Sequence, residues 1–115
     1  AQVQENDKPV LIYATFPSDE VAETMGRQLV EGRLAACINI LGELTSIYRW
    51  EGKIEQDREV AMIIKTRASL ADEVIAAVKS EHPYANPALL VLPVVGGADA
   101  YCAWLMQETV GAEPQ

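Results

Sequence analysis

Residues 44–66 read LTSIYRWEGKIEQDREVAMIIKT, and this stretch decides the fold. Residues 44–50 are rich in β-branched and aromatic side chains, which suit a pleated, half-buried surface. Glu51-Gly52 is a turn signal, and residues 53–66 read as the return strand. Together they form a hairpin longer than the other strands. Its charged part, Glu55 to Glu59, is expected toward the exposed end, and Val60 to Ile64 toward the core.

Working outward, residues 34–41 (LAACINIL) have strand character that Gly42-Glu43 interrupts. Residues 9–16 (PVLIYATF) are apolar on both faces, as in a strand buried within a sheet. Pro17-Ser18 ends that strand. Ser18 is a good helix N-cap, and Asp19 and Glu20 place negative charge in the first turn. Val21, Met25 and Leu29 recur at four-residue spacing, and Gly32 is expected to end this helix in the left-handed conformation. A second helix is expected from Ser69, with Asp72 resembling the partner of a capping box. Leu70, Val74 and Val78 form its apolar stripe. Pro83 stops it and pushes His82 toward extended backbone. Residues 89–95 return to strand, and Pro93, which cannot donate a ladder hydrogen bond, assigns that strand to an edge. A short helix over 101–110 carries Tyr101, Trp104 and Leu105 on its apolar face.

The order strand, helix, strand, strand, helix, strand is the split β-α-β, ferredoxin-like arrangement. The expectation is an α+β fold: a ferredoxin-like βαββαβ sandwich with a long central hairpin and an extra C-terminal helix. One domain is expected over 9–111, with tails at 1–8 and 112–115. Ile38, Ile40, Met62 and Ile64 read as a surplus of apolar groups on the sheet face away from the helices. That surplus and the overhanging hairpin, whose edges are unpaired in a monomer, point to an oligomer.

Composition narrows the function. The 115 residues amount to one domain, long enough to bury a core without disulfides or metal. Lys and Arg number 9 and Asp and Glu 17, a net charge of −8. That balance argues against nucleic-acid binding, which needs a basic surface, and against anionic membranes. No apolar run is long enough to span a bilayer, and the polar stretch 1–8 has no signal-like hydrophobic segment. The two cysteines, Cys37 and Cys102, are far apart in sequence, so a disulfide framework is not expected and a reducing cytoplasmic setting is.

Several motifs in order resemble the CutA family of divalent-ion tolerance proteins. They are 34–39 (LAACIN), 46–54 (SIYRWEGKI), 64–66 (IKT) and 82–84 (HPY), with ATFP at 14–17, LPV at 92–94, Tyr101 and Trp104. The resemblance runs from about Val10 to Trp104. It implies a ferredoxin-like subunit, a tight homotrimer joined through the hairpins, a shape similar to that of PII-type signalling trimers, and a link to copper and other divalent ions. One departure stands out. The family usually has Pro-Glu two residues after His-Pro-Tyr, whereas this chain reads HPYANPA, with Ala88 in the place of the Glu and Ala85 at a position that is often polar.

Cys37 and His82 are the candidate metal ligands, from one subunit or two. Sulfur and imidazole together favour Cu(I). The plainer readings are a small buried core thiol and a basic cap at a helix C-terminus. Tyr48, Trp50, Lys65, Tyr84 and Trp104 are expected to line a pocket or an interface. Cys37 and His82 also pair a nucleophile type with a base type. No third orienting group, phosphate loop, HExxH or nucleophile elbow accompanies them, so no enzymatic activity is expected. The expected function is a non-catalytic homotrimer that binds copper or other divalent ions, with no obligatory cofactor. The alternative is a PII-like regulatory trimer holding a small anionic metabolite between subunits, with Lys65 among its anion donors.

Overall fold

The computed structural model describes residues 7–111, so the tail at 112–115 and the first six residues of the tail at 1–8 lie outside the described residues. Strand β1 (Pro9–Phe16) is followed by α1 (Asp19–Glu31), β2 (Cys37–Trp50), β3 (Lys53–Arg67), a 3-10 turn (Ala68–Leu70), α2 (Ala71–Glu81), β4 (Leu89–Pro93) and α3 (Asp99–Glu108). The sheet is antiparallel with strand order β2-β3-β1-β4, the ferredoxin-like order. Proline 93 is the last residue of the edge strand β4, where its missing N–H breaks no ladder.

Side chains alternate strictly between faces, which sets the core. Ile12, Ala14 and Phe16 of β1 and Val60, Met62 and Ile64 of β3 point to one face, where they pack with Ala22, Met25 and Leu29 of α1 and Val74 and Val78 of α2. Ile38 and Ile40 of β2 pack against the same cluster. This corrects the sequence expectation: Ile38, Ile40, Met62 and Ile64 face the helices rather than the opposite side. The apolar groups of the opposite face are Leu11, Tyr13, Ile63, Leu41, Leu90 and Leu92, the last two on the edge strand and 62% and 43% exposed. Gly26 lets α1 lie close on β2; a Cβ there would stand 2.9 Å from Ile38 Cγ2.

A bulge interrupts β2. Leu41 pairs with Ala61 and Glu43 with Val60, so Gly42 is one residue more than β3 supplies. Before it the odd residues of β2 face away from the helices; after it the even ones do, because Leu44, Ser46, Tyr48 and Trp50 pair with Glu59, Asp57, Glu55 and Lys53. The hairpin closes through Glu51 and Gly52, both with positive φ (49° and 82°), as a tight turn with the right twist demands. Beyond Phe16↔Val60 the hairpin has no partner from β1, and Ile47 (66%) and Ile54 (62%) stand exposed on it.

Two helix ends differ from expectation. Ser18 does cap α1, accepting from the Val21 amide at 3.2 Å. Gly32, however, has φ −82°, and the left-handed residue is Arg33 at φ 61°. Bonds from Leu34 N–H to the Leu29 carbonyl and from Gly111 N–H to the Arg33 carbonyl hold it there, offsetting the steric cost of a left-handed residue with a Cβ. Ser69 does not form a capping box with Asp72. Its amide and hydroxyl donate to Asp7, at 2.9 and 2.6 Å, so a residue 62 positions upstream does the capping.

Candidate functional site

The face away from the helices carries two separate clusters. The first surrounds the start of β2 and is covered by α3. Cys37 lies opposite Lys65 in the ladder. Lys65 Nζ donates to the Tyr101 hydroxyl at 3.1 Å and sits 5.2 Å from the Tyr101 ring centroid, and Tyr101 packs on Trp104 with centroids 5.4 Å apart. The Tyr101 hydrogen bond, helped by neighbouring Cys37, holds the Lys65 ammonium above the ordinary lysine range despite the opposing effect of burial. The far end of α3 is fixed by Arg67, which is buried. Its guanidinium donates to the Thr109 hydroxyl (3.2 Å) and the Met106 carbonyl, completing the helix C-terminus, and pairs with Asp7 at 3.1 Å. Burial alone would raise the Asp7 carboxyl; the bonds from Ser69 and the Arg67 charge outweigh it, and the group is held below its usual range.

The second cluster lies beneath the hairpin. A cavity of about 590 Å³ is lined by Tyr13, Thr15, Ser46, Tyr48, Arg49, Trp50, Asp57, Glu59, Tyr84, Ala85, Asn86 and Ala88. Strand alternation puts Asp57 and Glu59 of β3 on the same face as Ser46, Tyr48 and Trp50 of β2, beyond the bulge at Gly42. The α2–β4 connection supplies the remaining wall. Glu59, only 9% exposed, accepts from the Ser46 hydroxyl and from the Tyr84 hydroxyl at 3.0 Å. Asp57 accepts from the Tyr48 hydroxyl. Neither carboxylate has a lysine or arginine paired with it among the described residues. Burial, then the bond to Glu59, pushes the Tyr84 phenol up to about 12, and the bond to Asp57 pushes Tyr48 up to about 12.

His82 sits where the chain rounds the end of β1. Its ring stacks on Phe16, centroids 4.8 Å apart, and lies 4.7 Å from the Tyr84 ring. The Tyr84 amide donates to Nδ1 at 3.1 Å, so Nδ1 carries no proton, and Nε2–H donates to the Thr15 carbonyl at 2.8 Å. Both ring nitrogens are therefore occupied. This bridge hangs Tyr84 over the sheet and so builds the cavity wall.

The sequence candidates divide accordingly. Tyr48, Trp50 and Tyr84 line the cavity; Lys65 and Trp104 belong with Cys37 in the α3 cluster. Within one subunit Cys37 and His82 do not meet. Cys37 lies in the row of Leu11 and His82 at Thr15, four residues along and two strands across, roughly 15 Å apart. Among the described residues no three His, Cys, Asp or Glu side chains are grouped to hold a metal. The sequence reading missed Glu59, expected to be solvated, and Asp57. The alternation of Glu55, Asp57 and Glu59 along a strand is the signal that places them on one face.

Three comparisons extend the description. The family model described as "CutA1 divalent ion tolerance protein" matches residues 10–108. Protein CutA of Mus musculus is 45% identical over 97 residues, covering 84% of this chain and 55% of that protein, and the chloroplastic Protein CutA of Arabidopsis thaliana is 38% identical over 111 residues, covering 94% and 61%. The chain thus spans little more than half the length of these curated relatives. The solved divalent cation tolerance protein of Thermus thermophilus superposes with a TM-score of 0.86 at 42% identity, covering 88% of this chain and 98% of that one.

Proposed function

Since the chain belongs to the CutA1 divalent ion tolerance family, we propose that it is a non-catalytic homotrimer that binds copper or other divalent ions in the cytoplasm and contributes to tolerance of them. The family match over residues 10–108 carries this reading. Among the described residues no helix is long and apolar enough to cross a membrane.

Cys37 is the soft ligand of the proposed site, with His82 of the same or a neighbouring subunit as its partner. His82 can join only by releasing Nδ1 from the Tyr84 amide or Nε2 from the Thr15 carbonyl. A thiolate and an imidazole select Cu(I) over hard ions such as Mg(II). The thiol must shed its proton and the imidazole must keep a free lone pair, so affinity falls as the solution is acidified. Competition titration against a Cu(I) chelator tests this. Cys37→Ser is expected to lose at least tenfold in affinity and His82→Ala to weaken binding less, and unchanged affinity in both variants would overturn the assignment. The rival reading is an anionic metabolite held between subunits at Lys65, whose ammonium donates to the Tyr101 hydroxyl.

A further inference from the structure

We propose that α3 is a hinged lid over the Cys37 cluster and that Asp7 is the pin of its latch. The proposal rests on the copper reading for its purpose, since it supplies the motion that opens Cys37 to an ion. The hinge lies at Gly96-Gly97, between β4 and α3, where a Cβ on Gly96 would meet nothing within 4 Å. Among the described residues no side chain caps the N-terminal end of α3. One turn on, Tyr101 receives the Lys65 ammonium beside Cys37. At the far end Arg67 of β3 donates to the Met106 carbonyl and the Thr109 hydroxyl, and that hydroxyl donates to the Leu105 carbonyl at 2.8 Å. Arg67 is in turn aimed by Asp7, whose carboxylate accepts from the guanidinium at 3.1 Å and from the amide and hydroxyl of Ser69. The Asp7 side chain has no exposed surface, and that of Arg67 is 10% exposed. A buried guanidinium deprived of its carboxylate is an uncompensated charge and turns toward water, taking its bonds to α3 with it. Asp7 therefore acts on the helix through Arg67. The helix is tied besides by the buried Leu105, by one bond from the Gly111 amide to the Arg33 carbonyl, and by the solvated Arg33–Glu108 pair at 3.6 Å, which contributes little. Every bond of the latch is made within one chain, so its geometry does not rest on which surfaces the subunits pair.

Hydrogen exchange of the full chain in its assembled state, read segment by segment without copper, tests the latch. Asp7→Asn keeps the shape and removes the charge. It is expected to speed exchange across α3 about tenfold while α1 stays at the parent rate. Thr109→Val cuts the latch at its other end and is expected to do the same, and the double variant to do no more than either single one. In a Cys102→Ser background, the rate at which Cys37 reacts with an aromatic disulfide is expected to rise in step with α3 exchange. Parent-rate exchange of α3 in Asp7→Asn, equal acceleration in α3 and α1, additive effects in the double variant, or a Cys37 rate that stays flat while α3 opens would each overturn the proposal. Neither readout involves a metal, so a failed latch leaves the copper reading standing and a failed copper titration leaves the latch.

Discussion

His82 shows how one residue can be claimed by two kinds of chemistry. Its lone pair at Nδ1 and its proton at Nε2 are both used within the chain, and its ring lies flat on Phe16. Removing it strips two hydrogen bonds and a stacking contact from the junction of α2 and β1. His82→Ala is therefore expected to cost about 2–4 kcal/mol in the metal-free protein, read by urea unfolding at fixed protein concentration. A stability equal to that of the parent would mean that the bridge contributes nothing. Tyrosine 84, next to it, predicts an alkaline response. A phenol raised to about 12 in the fold and titrating near 10 when unfolded stabilises the folded state fully below pH 10 and loses that contribution as pH rises to 12. Tyr48 acts in the same direction. Urea midpoints measured between pH 9 and 12 are expected to fall steeply in the parent and less steeply in Tyr84→Phe. Asp7 has the opposite sign: held below the usual carboxylate range, it stabilises above about pH 4 and loses that effect on acidification.

Among the elements, α1 rests on β2 through Gly26, and two effects compete if it is changed. Alanine gains about 1 kcal/mol of helix propensity over glycine. Its Cβ would stand 2.9 Å from Ile38 Cγ2, an overpacking that costs about 1–3 kcal/mol in a core already filled. Gly26→Ala is thus expected to destabilise by about 1 kcal/mol, and a thermal or urea scan showing a gain would mean that Ile38 yields freely. The elements themselves were legible in the sequence, because their signals are local: Ser18 before an acidic first turn, the four-residue stripe of α1, the turn at Glu51-Gly52, Pro93 at an edge. What failed to show was decided by distant partners. Asp7 displaces Asp72 as the partner of Ser69. Arg33, tied by Gly111, takes the left-handed place expected of Gly32. Strand periodicity separates the two faces of β2 and β3 but does not say which one the helices cover. Glu59 reads as one of several exposed charges until Tyr84, from the other side of α2, closes over it.

For the whole molecule, the open edges carry the strongest expectation. Among the described residues the hairpin runs past β1, the outer edge of β4 is unpaired, and Leu90, Ile47 and Ile54 are each more than half exposed. Such edges and apolar groups are costly in a monomer and are removed when hairpins pair around a closed ring. Sedimentation equilibrium at micromolar concentration is expected to give a trimer, and a dominant monomer or dimer would contradict it. The bulge at Gly42 reconciles the numbering of β2 with the side chains this architecture presents. It works as a phase shift in a two-step code, so that Cys37 and Asn39 share a side with Ser46, Tyr48 and Trp50 although one set is odd and the other even. Loss of that single codon would place Glu43 directly after Leu41 and still opposite Val60, so Ser46, Tyr48 and Trp50 would keep their side and only the local kink would vanish. A three-nucleotide deletion at Gly42 is therefore silent for the side chains that the hairpin presents, and the extra residue is tolerated because the bulge absorbs it.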